Sequence, residues 1–214
     1  MKSKENLLEQ LKFLPHFSKD SLYQLGKQLG LADSTVDTYV SRFLKYKEIL
    51  QLKKGLYTSS DFFSKNKSDI SYSFYLANII RTPSYVSLWS ALQFYNLTTE
   101  AIYSITSVTP KVTRNYTTKA GSFTYKSIKK GLFSDFSLMQ GKVTGEQTTR
   151  LDFFIASPAK ALFDLLYFKT HQFRGVRFED VKILVEELRI DIDEMDKKER
   201  LKFHTITRKY INNE

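Results

Sequence analysis

Apolar positions in the first sixty residues recur at helical spacing in three runs and then form two short blocks around a turn. Leu7, Leu8, Leu11 and Leu14 make the first run and Pro15 closes it, which predicts a helix over about residues 4–14. Leu22, Leu25 and Leu29 make the second, with Ser18 or Asp20 placed to cap it and Gly30 to stop it in a left-handed turn. Val36, Tyr39, Val40, Phe43 and Leu44 make the third, a helix from Thr35 to about Tyr46 that Asp33 or Ser34 would cap. Ile49 to Leu52 and Leu56 to Thr58 flank Lys53-Lys54-Gly55, the pattern of a β-hairpin. Helix, helix, short turn, helix and hairpin is the order of a winged helix-turn-helix. The polar stretch Ser59–Ser71, with Lys65, Asn66, Lys67 and Ser68, predicts that a first domain ends near residue 70.

A second block begins with a helical pattern at about 71–81 and another from Ser87, where Trp89, Leu92, Phe94 and Tyr95 supply bulk. Tyr103–Thr109, Phe123–Ile128 and Leu151–Ala156 are rich in β-branched and aromatic residues and are broken by Pro110, Gly121 and Gly141, so they predict strands. Ser157-Pro158 is a capping residue followed by proline at the first helical position, and Ala161, Leu162, Leu165 and Leu166 form the buried face of the helix it opens. Further helices are expected around 177–190 and 195–212. The fold class is therefore α+β: a winged helix-turn-helix over 1–70 and a mixed α/β domain over 71–214.

Composition sharpens this picture. A hydrophobic fraction of 42% with 14% aromatic residues is enough for packed cores. The net charge of +10 favours polyanionic partners. It is unevenly spread: +4 over residues 1–70, +6 over 71–150 and zero over 151–214. The absence of cysteine removes disulfides, thiolate nucleophiles and thiolate metal sites and suits a reducing compartment. With no apolar leader at the start and no long apolar run, the chain is expected to be cytoplasmic and to have no membrane partner.

The third helix has the make-up of a recognition helix, which must hold itself on an apolar face while showing polar groups to the groove. Ser34, Thr35, Thr38, Ser41, Arg42 and Lys45 project away from Val36, Val40, Phe43 and Leu44, offering hydroxyls and a guanidinium to bases or phosphates. Lys53 and Lys54 sit where a wing would meet the backbone. Against this stands the ordinary reading, a small helical fold whose lysines serve solubility or whose surface meets protein. Asp37 is out of place near phosphates unless it accepts from cytosine, caps the helix or pairs with Arg42. A second basic set, Lys111, Arg114, Lys119, Lys126, Lys129 and Lys130, is a solvated face, a further DNA contact or a surface used against a partner.

Three segments carry a resemblance: Tyr85–Thr98 (YVSLWSALQFYNLT), Ile105–Lys111 (ITSVTPK) and Ile155–Tyr167 (IASPAKALFDLLY). With the predicted winged helix they make the chain similar to the AbiEi antitoxin family. That resemblance implies the antitoxin half of a bacterial abortive-infection toxin–antitoxin pair, whose N-terminal domain represses its own promoter by binding inverted repeats in double-stranded DNA. It also implies that the C-terminal domain neutralises an AbiEii-type, nucleotidyltransferase-like toxin, in the manner termed type IV, without a stable complex.

Enzyme chemistry finds little support. Ser157-Pro158-Ala159-Lys160 matches S-x-x-K, but its Lys-Thr-Gly and Ser-Asp-Asn companions are missing and Ser157 is explained as a cap. His16, His171 and His204 are scattered, no Gly-rich phosphate loop occurs, and Asp191, Asp193, Glu194 and Asp196 lack the pattern of a calcium loop. No catalytic residue, metal or cofactor is expected. The alternative function is a winged-helix regulator whose second domain senses a ligand or oligomerises, with no toxin partner.

Overall fold

The computed structural model describes residues 2–143 and 149–212 and has a mixed α and β fold. It opens with α1 (Lys2–Leu11), β1 (Phe17–Ser18), α2 (Lys19–Gln28) and α3 (Asp33–Lys45). The hairpin β2 (Ile49–Lys53) and β3 (Leu56–Ser59) follows. Helix α1 stops short of the expected Leu14, because a residue before proline is driven out of the helical region and Pro15 leads the chain into β1. Ser18 caps α2, its Oγ accepting from the Ser21 N–H at 3.0 Å. At α3 the N-cap is Ala32, with no side-chain cap, so neither Asp33 nor Ser34 plays that part. Asp33 lies instead in the first turn, where the helix dipole favours its charge.

Helices α2 and α3 approach closely at Gly26: a Cβ there would lie 2.4 Å from Val36 Cγ2, so any side chain would force the pair apart. The hairpin turns through Gly55 at φ +76, with Lys53 opposite Leu56. β1 pairs with β3 antiparallel, giving a sheet of order β1-β3-β2. Leu7, Leu11, Phe17, Leu22, Val36, Val40, Phe43, Ile49 and Tyr57 close the core of this module.

The polar stretch after the hairpin is helical. Ser59 accepts from the Phe62 N–H and opens α4 (Ser60–Asn66), which buries Phe62 edge-on against Tyr72 at 5.3 Å. α5 (Ile70–Ile80) follows, with the Asp69 carboxylate accepting from the Ser71 N–H. Leu52, Leu56 and Phe62 belong to a second, larger core, so the hairpin has one side in each. Polar bonds add to the joint: the Tyr72 hydroxyl donates to the Pro15 carbonyl at 2.8 Å, and the Tyr75 hydroxyl meets His16 Nδ1 at 2.6 Å.

The second core is built on a mixed six-stranded sheet of β4 (Tyr85–Val86), β5 (Ser104–Thr109), β6 (Arg114–Thr118), β7 (Gly121–Ser127), β8 (Phe136–Val143) and β9 (Thr149–Ala156), in the order β6-β7-β5-β4-β9-β8. β5 and β7 run parallel, as do β4 and β9; the other pairs are antiparallel. α5 covers one face, with Phe74 against Phe153 and the Tyr125 hydroxyl donating to the Ala77 carbonyl. α6 (Leu88–Phe94) and α7 (Pro158–Lys169) cover the other. α8 (Val181–Glu187) and α9 (Lys197–Asn212) complete the chain, joined by the acidic segment as a solvated turn. In that turn Asp196 accepts from the Glu199 N–H and Asp193 pairs with Arg200. Among the described residues no helix is long and apolar enough to cross a membrane.

Candidate nucleic-acid interface

The solvent face of α3 is polar by helical spacing. Val36, Val40 and Phe43 point into the core, which turns Ser34, Thr38, Ser41 and Lys45, three or four residues apart, onto one exposed stripe beside Arg42. Thr35 is half buried at its margin. The Thr38 hydroxyl donates to the Ser34 carbonyl at 3.0 Å and the Ser41 hydroxyl to the Asp37 carbonyl at 2.9 Å. With their hydrogens so placed these hydroxyls face solvent as acceptors, suited to base amino groups more than to phosphate oxygens. Arg42 and Lys45 supply the positive charge, and neither has an ion-pair partner among the described residues. Tyr46 is 65% exposed just beyond the helix, with the ammonium groups of Lys4 and Lys45 near its ring.

Asp37 does not pair with Arg42 or cap the helix. Its carboxylate accepts from the Tyr23 hydroxyl at 2.9 Å and lies 3.1 Å from Lys19 Nζ, so it faces α2. The bonds from Lys19 and Tyr23 hold its pKa below the usual carboxylate range, while the Tyr23 hydroxyl and then Asp37, both bonded to Lys19, hold that ammonium above its own. One negative charge is thereby neutralised at the edge of the α3 face.

The two hairpin lysines separate. Lys54 is exposed in the turn. Lys53 turns back and donates from Nζ to the Ile80 carbonyl at 2.6 Å, so it ties the hairpin to the end of α5 rather than standing free at the tip.

The second basic set is not one patch. Lys111 donates from Nζ to the Thr82 carbonyl, near the same end of α5. Arg114 lies opposite Tyr125 in the β6–β7 pair, which puts it on the face away from Lys126, while Lys119 sits at the far turn of that hairpin. Lys129 and Lys130 lie at a 3-10 turn, with Lys129 within hydrogen-bond reach of the Tyr210 hydroxyl on α9. Beside Arg114 the structure adds a cation that the sequence pattern did not single out, Arg81, which is buried and donates to the Val112 carbonyl. Burial raises the Tyr116 phenol, but the guanidiniums of Arg114 and Arg81 beside it outweigh that and hold it below its usual value.

The Ser157 hydroxyl accepts from the Lys160 N–H and from Lys202 Nζ, the cap expected of it. The ammonium of Lys160 is turned inward onto the fully buried Asp164, which also accepts from the hydroxyls of Ser87 at 2.8 Å and Tyr85 at 3.0 Å. Burial pushes the Asp164 carboxyl upward, against the pull of these donors. A lysine and an aspartate four apart on an otherwise apolar helix was the available signal for this pair. Among the described residues no group of His, Asp and Glu side chains is arranged to hold a metal ion.

Comparison of the sequence with protein-family models and with curated proteins finds no match.

Proposed function

We propose that residues 1–70 are a winged helix-turn-helix that binds double-stranded DNA, and that the chain is a cytoplasmic autorepressor and antitoxin acting by binding rather than catalysis. The observation that carries the DNA reading is the stripe of Ser34, Thr38, Ser41, Arg42 and Lys45, exposed on the helix that follows a short turn and precedes the Lys54 turn. α3 enters the major groove, where Arg42 donates to guanine and the hydroxyls accept from amino groups. Lys45 and Lys54 grip phosphates, an attachment that weakens as salt rises. Inverted repeats in the chain's own promoter are the target that the resemblance implies.

The antitoxin role of residues 71–214 rests on the resemblance of the segments Tyr85–Thr98, Ile105–Lys111 and Ile155–Tyr167 to AbiEi antitoxins. It consists in countering a nucleotidyltransferase-like toxin without a stable complex. The test places the chain's own upstream region before a reporter gene and expresses the chain in trans, alone and with the adjacent gene. Repression that Arg42→Ala/Lys45→Ala abolishes, together with rescue of growth from the neighbouring gene product, supports the account. An unchanged reporter removes the autorepressor, and a harmless neighbour removes the antitoxin.

A further inference from the structure

Strand β8 is a free edge of the six-stranded sheet. On one side it pairs with β9 from Phe136↔Ala156 to Val143↔Thr149, and no described strand pairs with the other. Such an edge presents a row of backbone N–H and C=O groups that templates a further strand unless charge, proline or a covering element blunts it. The opposite edge, β6, is guarded by Arg114 and by β2 of the N-terminal sheet packed beside it. On β8, α5 packs over the Gly141 end, where a Cβ would meet Ser71 Cβ at 3.0 Å, but Phe136 to Gly141 carry no charge and Ser137, Leu138, Met139 and Gln140 are all exposed. Leu138, 49% exposed, lies directly opposite Phe154, 41% exposed, so the edge also bears an apolar pair on one face.

We propose that β8 is the docking strand for a second copy of this chain. The two β8 strands run antiparallel about a two-fold axis at Leu138, so that Leu138 faces its own copy and the two sheets become continuous. The chemistry of the strand selects this partner. In a two-fold pairing every exposed residue from 137 to 140 meets a residue from the same uncharged segment, so no like charges oppose across the seam of a protein carrying +10. The register also joins Phe154, Leu138 and their copies into one unbroken apolar row. Each copy thus covers what the other exposes, whereas a charged strand would leave the row open to water. The pairing is independent of DNA; where the DNA reading holds, it relates two α3 helices by the symmetry of an inverted repeat.

Sedimentation equilibrium of the full chain without DNA tests the pairing. The wild type sediments as a dimer. Leu138→Lys and Leu138→Glu, at a half-exposed position, keep their circular dichroism and each weakens dimerisation at least about a hundredfold, because like charges then meet at the axis. Mixing the two variants restores the dimer mass. Because the chain has no cysteine, Leu138→Cys gives an independent readout: mild oxidation links it into a covalent dimer on a denaturing gel, whereas Lys119→Cys on the distant β6–β7 turn forms no covalent link. A wild type that is monomeric at all concentrations overturns the proposal. So does a dimer that survives both charge variants, or a Leu138→Cys chain that does not cross-link.

Discussion

Lys19 Nζ lies 3.1 Å from the Asp37 carboxylate, fastening the start of α2 to the middle of α3 while cancelling a negative charge beside the polar stripe of α3. This contact joins the packing of the module to its electrostatics. Lys19→Gln leaves Asp37 facing phosphates without compensation, and DNA affinity is expected to fall by about tenfold or less at moderate salt, alike on all sequences. Lys19→Gln/Asp37→Asn regains most of it. Anisotropy titrations of the two variants measure this, and failure of the double variant to recover refutes the compensation.

Arg42 and Lys54 are expected to fail in different ways. Arg42→Ala should cost about 1–3 kcal/mol on the cognate promoter and less on random DNA, because a base contact is lost. Lys54→Ala should weaken both alike and reduce the salt slope by about 1, as expected for one phosphate contact. Competition titrations over a salt series separate the two; equal loss of both DNAs in Arg42→Ala would remove its base-reading role.

His16 ties the N-terminal module to α5 through Tyr75, and burial holds its pKa below the ordinary value. The folded state therefore favours the neutral ring. The stability this contributes is complete above the unfolded pKa and is lost as pH falls from there through the lowered folded value. Thermal melts from about pH 8 to about pH 5 should show a downward trend in the wild type that His16→Phe flattens. Identical pH slopes in the two proteins would contradict this.

The Lys160–Asp164 pair predicts a large stability effect away from α3. Asp164→Ala leaves a buried ammonium unpaired and should cost about 3–5 kcal/mol in chemical denaturation. Replacing Lys160 and Asp164 together by Met and Leu should cost much less. A small loss in Asp164→Ala would mean that Lys160 escapes to solvent.

Helices closed by capping chemistry were legible in the sequence. Ser18 before α2 and Ser157-Pro158 before α7 stand where their motifs put them, and the period of Val36, Val40 and Phe43 marked both the buried and the polar face of α3. β6 and β8 were not legible, because an edge strand that buries only one or two side chains has little apolar alternation; Arg-Asn-Tyr-Thr-Thr reads as loop. α4 hid within a polar stretch although Ser59 and Phe62 carried its cap and its anchor. Lys53 could be placed at a hairpin tip from local pattern, but its bond to Ile80, 27 residues away, depends on tertiary packing that no local window contains. The same holds for Asp37, whose partner Lys19 lies 18 positions back.

The central claim, sequence-specific DNA binding through α3, is tested most directly by a mobility-shift titration of the full chain on its own upstream DNA against excess random DNA, in parallel with Arg42→Ala/Lys45→Ala. The account predicts a shift that survives the competitor with the wild type and disappears with the variant. A wild-type shift that random DNA abolishes, or a variant that binds as well as the wild type, would contradict it.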